Sequence, residues 1–376
     1  MKSFKITALS LVLVLLLAAC GAKNDTPDEP AVDPTPEPPI EQPVEKTPDE
    51  RINDIIADMS IEEKVGQLFF VRCPETGAAE DVETYHLGGL LLFGRDYKDA
   101  NGDWLTEDDF TAALASYQDA AAIPLFIGSD EEGGTVTRAS KNPNLFSEPL
   151  PSPQELYAAG GLDGLLERTL SYNQKLKAFG VNVNFAPVCD VSTNPDNFIY
   201  ARSFGQDAQT TADYISSVVP VYAQSGIACV LKHFPGYGNN ADTHTGIALD
   251  ARPYTFESGI AAGAPFVLVS HNIVECMDGA YPASLSAKVH TLLRDTLGFT
   301  GVIVTDDLAM DAVKAYAQDG SAAVLAIQAG NDMIVTTDYQ TQIPQVIAAI
   351  QSGEIAESDI DAHVFRVLHE KQALGL

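Results

Sequence analysis

Basic side chains are scarce in this 376-residue chain: 22 lysines and arginines stand against 52 aspartates and glutamates, a formal net charge of -30 at pH 7. A phosphate backbone would be repelled by such a surface, which excludes nucleic acid as a partner. Cysteine is sparse too, five in all. Apart from Cys20, the remaining Cys73, Cys189, Cys229 and Cys276 show neither close pairs nor ligand spacing. No zinc site and no disulfide is expected of them, and Cys189 and Cys229 lie in apolar runs that suit buried thiols. Nucleotide signatures are missing as well. No Gly-x-Gly-x-x-Gly turn follows the first apolar run, and "PGYG" is not continued by the Gly-Lys-Thr/Ser of a phosphate loop. There is no internal repeat and no sign of a second folded domain.

What is present begins with "MKSFKITALSLVLVLLLAAC", where Lys2 and Lys5 precede an apolar run that ends in small residues and a cysteine. The run is too short for a lasting membrane span and reads as a secretory leader. Leu17, Ala18, Ala19 and Cys20 resemble the bacterial lipoprotein signal. That resemblance implies a diacylglyceryl group on Cys20, which becomes the first residue of the mature chain and anchors it outside the cytoplasmic membrane. Residues 21 to 50 hold eight prolines and nine acidic residues with almost nothing to form a core. They are expected to be an extended, solvated tether. The organisation is therefore a leader at 1–20, a tether at 21–50 and one folded domain at 51–376.

Eight short apolar runs punctuate that domain: "QLFFV" 67 to 71, "LLLF" 90 to 93, "PLFIGS" 124 to 129, "VNVNFAP" 181 to 187, "IACVLKHF" 227 to 234, "FVLVSH" 266 to 271, "GVIVTDD" 301 to 307 and "DMIVT" 332 to 336. Their apolar residues run in succession rather than alternating, which suits strands covered on both faces. Helical patterns are expected at 106–122, 155–178, 207–225, 255–262, 286–297, 311–329, 341–352 and 359–372. Eight strands with helices between them predict an α/β fold, a (β/α)8 TIM-type barrel. A doubly wound sheet is the competing solution.

Polar residues gather where those strands should end: Asp130, Asp190, Lys232 with His233, His271 and Asp306. In a barrel the C-terminal strand ends converge, so these six would line one cavity. Asp306, beside Thr305, has the fixed placement that a covalent nucleophile requires, although one of the Asp306–Asp307 pair can equally cap the next helix. In "NNADTHTG", Asp242 and His244 stand two apart. A carboxylate that accepts from one imidazole nitrogen fixes the tautomer and leaves the other nitrogen to exchange a proton with a ligand. Two other readings of this stretch stand beside that one. A metal could be held by His233, Asp242 and His244 with His271 as a fourth ligand, or the glycines could cradle an anion. Lys232 beside the centre and the lack of compact ligand spacing disfavour the metal. "GSDEEGGTVTR" is either a solvated acidic loop or, at Asp130, a carboxylate able to accept two hydroxyls. Arg202 offers a fork to hydroxyls or to one of the many acids, and Arg138 and Lys232 carry the same choice.

Taken in order, "DEEGGTVTR", "NFAPVCDV", "ARSFGQD", "KHFPGYGNNADTH", "PASLS" and "LLRDTLGFTGVIVTDDLAM" resemble the family 3 glycoside hydrolases. The likeness is to their single-barrel β-N-acetylglucosaminidase branch, called NagZ-type, and it covers nearly all of residues 52 to 370. It implies a retaining enzyme that removes nonreducing-terminal GlcNAc from β-linked glycans or peptidoglycan fragments, with no metal and no organic cofactor. By resemblance Asp306 is the nucleophile and His244, oriented by Asp242, the acid/base. Asp130, Arg138, Arg202, Lys232 and His233 then contact the nonreducing sugar, and Asp190 helps to shape its pocket. The implied partners are a β-linked GlcNAc oligosaccharide or muropeptide and, through lipidated Cys20, the membrane. The chain is expected to be a monomer. Two departures stand out: "PGYGNNADTH" is one residue shorter than the usual Pro-Gly-His-Gly-Asp-Thr-x-x-Asp-Ser-His, and Glu131 stands where Gln is usual. The alternatives are a GlcNAc-glycoside phosphorylase or β-glucosidase of the same family, and a lipid-tethered carbohydrate-binding receptor. The Asp242–His244 dyad favours the N-acetylglucosaminidase branch over a β-glucosidase, and together with Asp306 it counts against the receptor. A phosphorylase would release its sugar phosphate outside the cell.

Overall fold

Each of the eight apolar runs contributes a strand: β1 (Phe69–Arg72), β2 (Gly89–Leu92), β3 (Phe126–Ser129), β4 (Val183–Asn184), β5 (Ala228–Phe234), β6 (Phe266–Val269), β7 (Val302–Thr305) and β8 (Ile334–Thr336). The computed structural model describes residues 46–237, 254–317 and 321–376. The strands pair in parallel in the order β7-β6-β5-β4-β3-β2-β1-β8, the order of a (β/α)8 barrel. The last seam is the weakest. Between β7 and β8 a single bridge joins Val304 to Met333. Beyond it the Thr305 hydroxyl replaces a ladder carbonyl and accepts the Val335 amide at 3.0 Å.

Twelve α-helices among the described residues clothe the barrel: α1 (Pro48–Asp58), α2 (Ile61–Gln67), α3 (Ala78–Tyr85), α4 (Glu107–Ala120), α5 (Pro153–Phe179), α6 (Ala208–Ser225), α7 (Tyr254–Ala261), α8 (Ala287–Thr291), α9 (Asp311–Lys314), α10 (Ala322–Ala329), α11 (Tyr339–Gln351) and α12 (Glu357–Ala373). Their starts are written in the sequence: Ser60 with Glu63 and Ser152 with Glu155 form capping boxes ahead of α2 and α5. The boundary expected at residue 50 falls inside α1. Thr47 caps that helix, Glu50 returns the bond, and Pro48 occupies its first turn, where a missing N–H does no harm. The helix expected over 311–329 is two separate helices, α9 and α10.

Phenylalanines fill the barrel interior. Phe70 lies 6.1 Å from the Phe126 ring and edge-on to Phe185 at 5.2 Å, and Phe126 meets Phe266 edge-on at 5.2 Å. Gly128 makes room for them, since a Cβ there would stand 2.7 Å from the Phe70 ring and 2.8 Å from that of Phe185. This plug closes the barrel beneath the cavity described below.

Asp332, immediately ahead of β8, ties the closing seam to the outer helices. Its carboxylate accepts the Ile303 amide at 2.7 Å, His363 Nδ1 at 2.8 Å and Arg366 Nε at 2.6 Å, and it pairs with Arg294. Burial alone would raise its pKa; the His363 bond and the Arg294 and Arg366 charges reverse this and hold it at about 2. A depressed carboxylate stabilises the fold above its ordinary pKa of 3.8 and loses that contribution as pH falls toward 2. Asp332→Asn should therefore cost about 3 kcal/mol in urea unfolding at pH 7 and flatten the stability profile between about pH 4 and pH 2. A variant that keeps the wild-type acid limb would remove Asp332 as its source.

Candidate active site

At the C-terminal end of the barrel a cavity of about 430 Å³ is walled by Asp130, Arg202, Lys232, His233 and Asp306, together with the aromatic Phe198 and Tyr237. Asp130 follows β3, Arg202 and Phe198 lie between β4 and α6, Lys232 and His233 belong to β5, and Asp306 follows β7. Rigid strands thus deliver side chains remote in sequence to one place.

The charges are organised around Glu132. Its carboxylate takes the Arg202 fork, Nε on Oε2 at 2.9 Å and Nη2 on Oε1 at 2.7 Å, and Lys232 Nζ at 2.5 Å. Lys232 also donates to Asp130 Oδ1 at 2.8 Å, and Arg138 Nη2 stands 3.5 Å from Asp130 Oδ2. Burial would push the Glu132 pKa up, but the Lys232 and Arg202 charges hold it at about 2. Burial likewise pulls Lys232 down, and Asp130 and Glu132 more than restore it. Glu132, Arg202 and Lys232 are therefore charged at neutral pH, and with Asp130 and Arg138 they form fixed donors and acceptors suited to a ligand rich in hydroxyls.

The partners of His233 set the hydrogen-bonding roles of its two ring nitrogens. Arg202 Nη2, which can only donate, stands 3.0 Å from Nε2, so that nitrogen accepts and the proton sits on Nδ1, donating to Asp190 Oδ2 at 2.7 Å. Asp190 is buried behind His233 and also accepts the amides of His233 at 3.1 Å and Tyr237 at 2.7 Å. It positions the imidazole and the start of the following segment.

Asp306 hangs from the barrel by its amide, which donates to Val269 O at 3.0 Å, and its Oδ1 accepts the Asp307 amide at 2.9 Å. Burial disfavours its charge, but the neighbouring imidazoles of His271 and His233, the Asp307 amide and Lys232 offset this. Its pKa lies below the ordinary aspartate value. Asp307 has the opposite shift, upward through burial, and its Oδ1 accepts the Ala309 amide at 2.9 Å, forming the turn that leaves β7. His271 stands behind this pair, with Nε2 donating to Asp307 O at 3.0 Å and Nδ1 facing Ser284 Oγ at 2.7 Å.

Asp130, Arg202, Lys232, His233 and Asp306 therefore share the cavity, with Arg138 attached to it through Asp130 and Asp190 and His271 behind its wall. Asp242, His244 and Cys20 lie outside the described residues. Both ring nitrogens of His233 and of His271 face protein partners, and among the described residues no group of His, Cys, Asp and Glu could hold a metal ion. Cys73, Cys189, Cys229 and Cys276 are free thiols. Sequence reasoning missed Glu132, which in "SDEEGG" has no mark to set it above its neighbours, and Phe198, one of two aromatics in "NPDNFIYAR". Glu131 is buried and faces away from that cluster. It accepts the amides of Arg138 at 3.0 Å, Ala139 at 2.9 Å and Ser140 at 3.1 Å, together with the Ser140 hydroxyl.

Residues 60–369 match the model of the glycosyl hydrolase family 3 N-terminal domain. The beta-hexosaminidase LpqI of Mycobacterium tuberculosis is 30% identical over 337 residues, 83% of each chain. A family 3 β-N-acetylglucosaminidase from a Paenibacillus strain superposes with a TM-score of 0.76 at 32% identity, over 84% of this chain and 63% of that one. A β-N-acetylhexosaminidase from Beutenbergia cavernae superposes with a TM-score of 0.72 at 28% identity, over 84% of this chain and 99% of its own.

Removal of the central charge tests the cluster. Glu132→Gln should lower stability at pH 7 by about 3 kcal/mol in urea unfolding, because Arg202 loses its fork and buried Lys232 one of its two carboxylates. An unchanged midpoint would overturn its place at the centre.

Proposed function

The chain belongs to glycosyl hydrolase family 3, and on that premise we propose that it is a retaining, exo-acting β-N-acetylglucosaminidase. One observation carries the reading: an aspartate at the end of β7, Asp306, held ionised on the wall of a cavity lined by paired charges and aromatic rings. In the proposed mechanism Asp130, Arg202, Lys232 and His233 hold the hydroxyls of the nonreducing sugar, and Glu132 and Asp190 keep those groups in place. The Asp306 carboxylate attacks the anomeric carbon as His244, oriented by Asp242, gives a proton to the departing glycosidic oxygen. His244 then takes a proton from the water that attacks the glycosyl-aspartate, restoring the carboxylate. No step calls for a metal or an organic cofactor.

Hydrolysis is favoured over phosphorolysis because the two cations on the described cavity wall, Arg202 and Lys232, are already committed to Glu132 and Asp130. The lipobox ending in Cys20 supports a lipid-anchored protein outside the cytoplasmic membrane, where β-linked GlcNAc oligosaccharides and peptidoglycan fragments are the candidate substrates.

The protein should release p-nitrophenol from the β-GlcNAc glycoside at a rate indifferent to phosphate, and Asp306→Ala should lower that rate by about a thousandfold or more. Proton NMR of the first-formed product should show the β anomer. Because Asp306 is shifted downward, protonation of this group should depress kcat/KM only below the ordinary aspartate range. Strict phosphate dependence, or an α first product, would overturn the hydrolytic or the retaining assignment respectively.

A further inference from the structure

Four large hydrophobic side chains are exposed among the described residues, Ile55, Tyr157, Phe198 and Tyr281, and of these Phe198 alone lies on the cavity wall. It is 46% exposed, although the chain on which it sits is firmly held. The next residue, Ile199, is fully buried with Val188 and Tyr237 in a small apolar cluster separate from the main core. Backbone bonds from Arg202 and Ser203 to Ile199 O, at 3.0 and 2.9 Å, close the turn that follows. The Phe198 ring lies 5.9 Å from that of Tyr237, and Tyr237 stands edge-on to His233 at 5.0 Å. An aromatic ring fixed from below and left uncovered by the described residues leaves apolar area that a ligand would remove from water.

We propose that Phe198 is the platform on which the leaving-group sugar packs, so that it sets the preference for a saccharide leaving group over a small alcohol. The inference rests on the glycosidase reading above. The charged cluster of Asp130, Glu132, Arg202 and Lys232 suits the hydroxyls of the sugar whose anomeric carbon meets Asp306. The leaving group has to lie beyond that cluster, toward the open side of the cavity, where the half-exposed ring stands. A β-linked pyranose presents a face of axial C–H groups, and such a face packs on an aromatic ring without needing a polar partner. Phenylalanine has no hydrogen-bonding atom, so Phe198 acts on binding and not on proton transfer.

The test compares N,N′-diacetylchitobiose with methyl β-GlcNAc, whose leaving groups are both simple alcohols, so that the bond being broken differs little while the reach of the leaving group differs greatly. Phe198→Ala should lower kcat/KM on the disaccharide about tenfold through KM, and change the methyl glycoside by less than about twofold. Phe198→Trp should retain the disaccharide activity. An equal loss on both substrates, or no loss on either, overturns the platform and leaves the glycosidase reading standing. A wild-type protein that cleaves neither glycoside removes that reading and the platform with it.

Discussion

A carboxylate sealed from water between two cations joins three segments of this protein that lie far apart in sequence. Glu132 follows β3, Arg202 lies between β4 and α6, and Lys232 belongs to β5, and their mutual bonds fix all three at the mouth of the barrel. A buried ion pair contributes little net stability against an apolar equivalent, because both partners have lost their hydration. Its value here is geometric. Arg202 and Lys232 are held with their remaining donors directed by Glu132, His233 and Asp130, and those positions are set before any ligand arrives.

The barrel's weakest seam and the Asp306 carboxylate lie one residue apart. Thr305 hydrogen-bonds to Val335 across the gap between β7 and β8, and Asp306 is the next residue. The same strand is anchored from below by Asp332 through the Ile303 amide. Closure of the barrel and placement of the carboxylate are therefore one structural problem with two anchors. The phenylalanines inside the barrel, admitted by Gly128, supply the floor.

Much of this was legible in the residues. Consecutive apolar runs such as "LLLF" and "GVIVT" carry the signal of strands covered on both faces, and polar residues at their ends marked the cavity. The α1 boundary was misjudged because Pro48 and the acids around it match the composition of the preceding segment; only the Thr47 and Glu50 spacing betrays a helix start. Glu132 was invisible for a different reason. Asp130, Glu131 and Glu132 are consecutive acids with three separate fates, one on Lys232 and Arg138, one on backbone amides, one between two cations. Sequence spacing cannot assign those fates, since they depend on which loop crosses above which strand. Asp307 shows the same limit: adjacent to Asp306 and chemically identical, it is used to make a turn.

Glu131 has a quieter effect. By gathering three successive amides and a hydroxyl onto one buried carboxylate, it freezes the run from Arg138 to Ser140 in the free protein. The conformational entropy of that run is surrendered during folding and is not lost again on binding. A ligand that reaches Arg138 meets a guanidinium whose backbone is already immobile, so more of the contact energy appears as affinity.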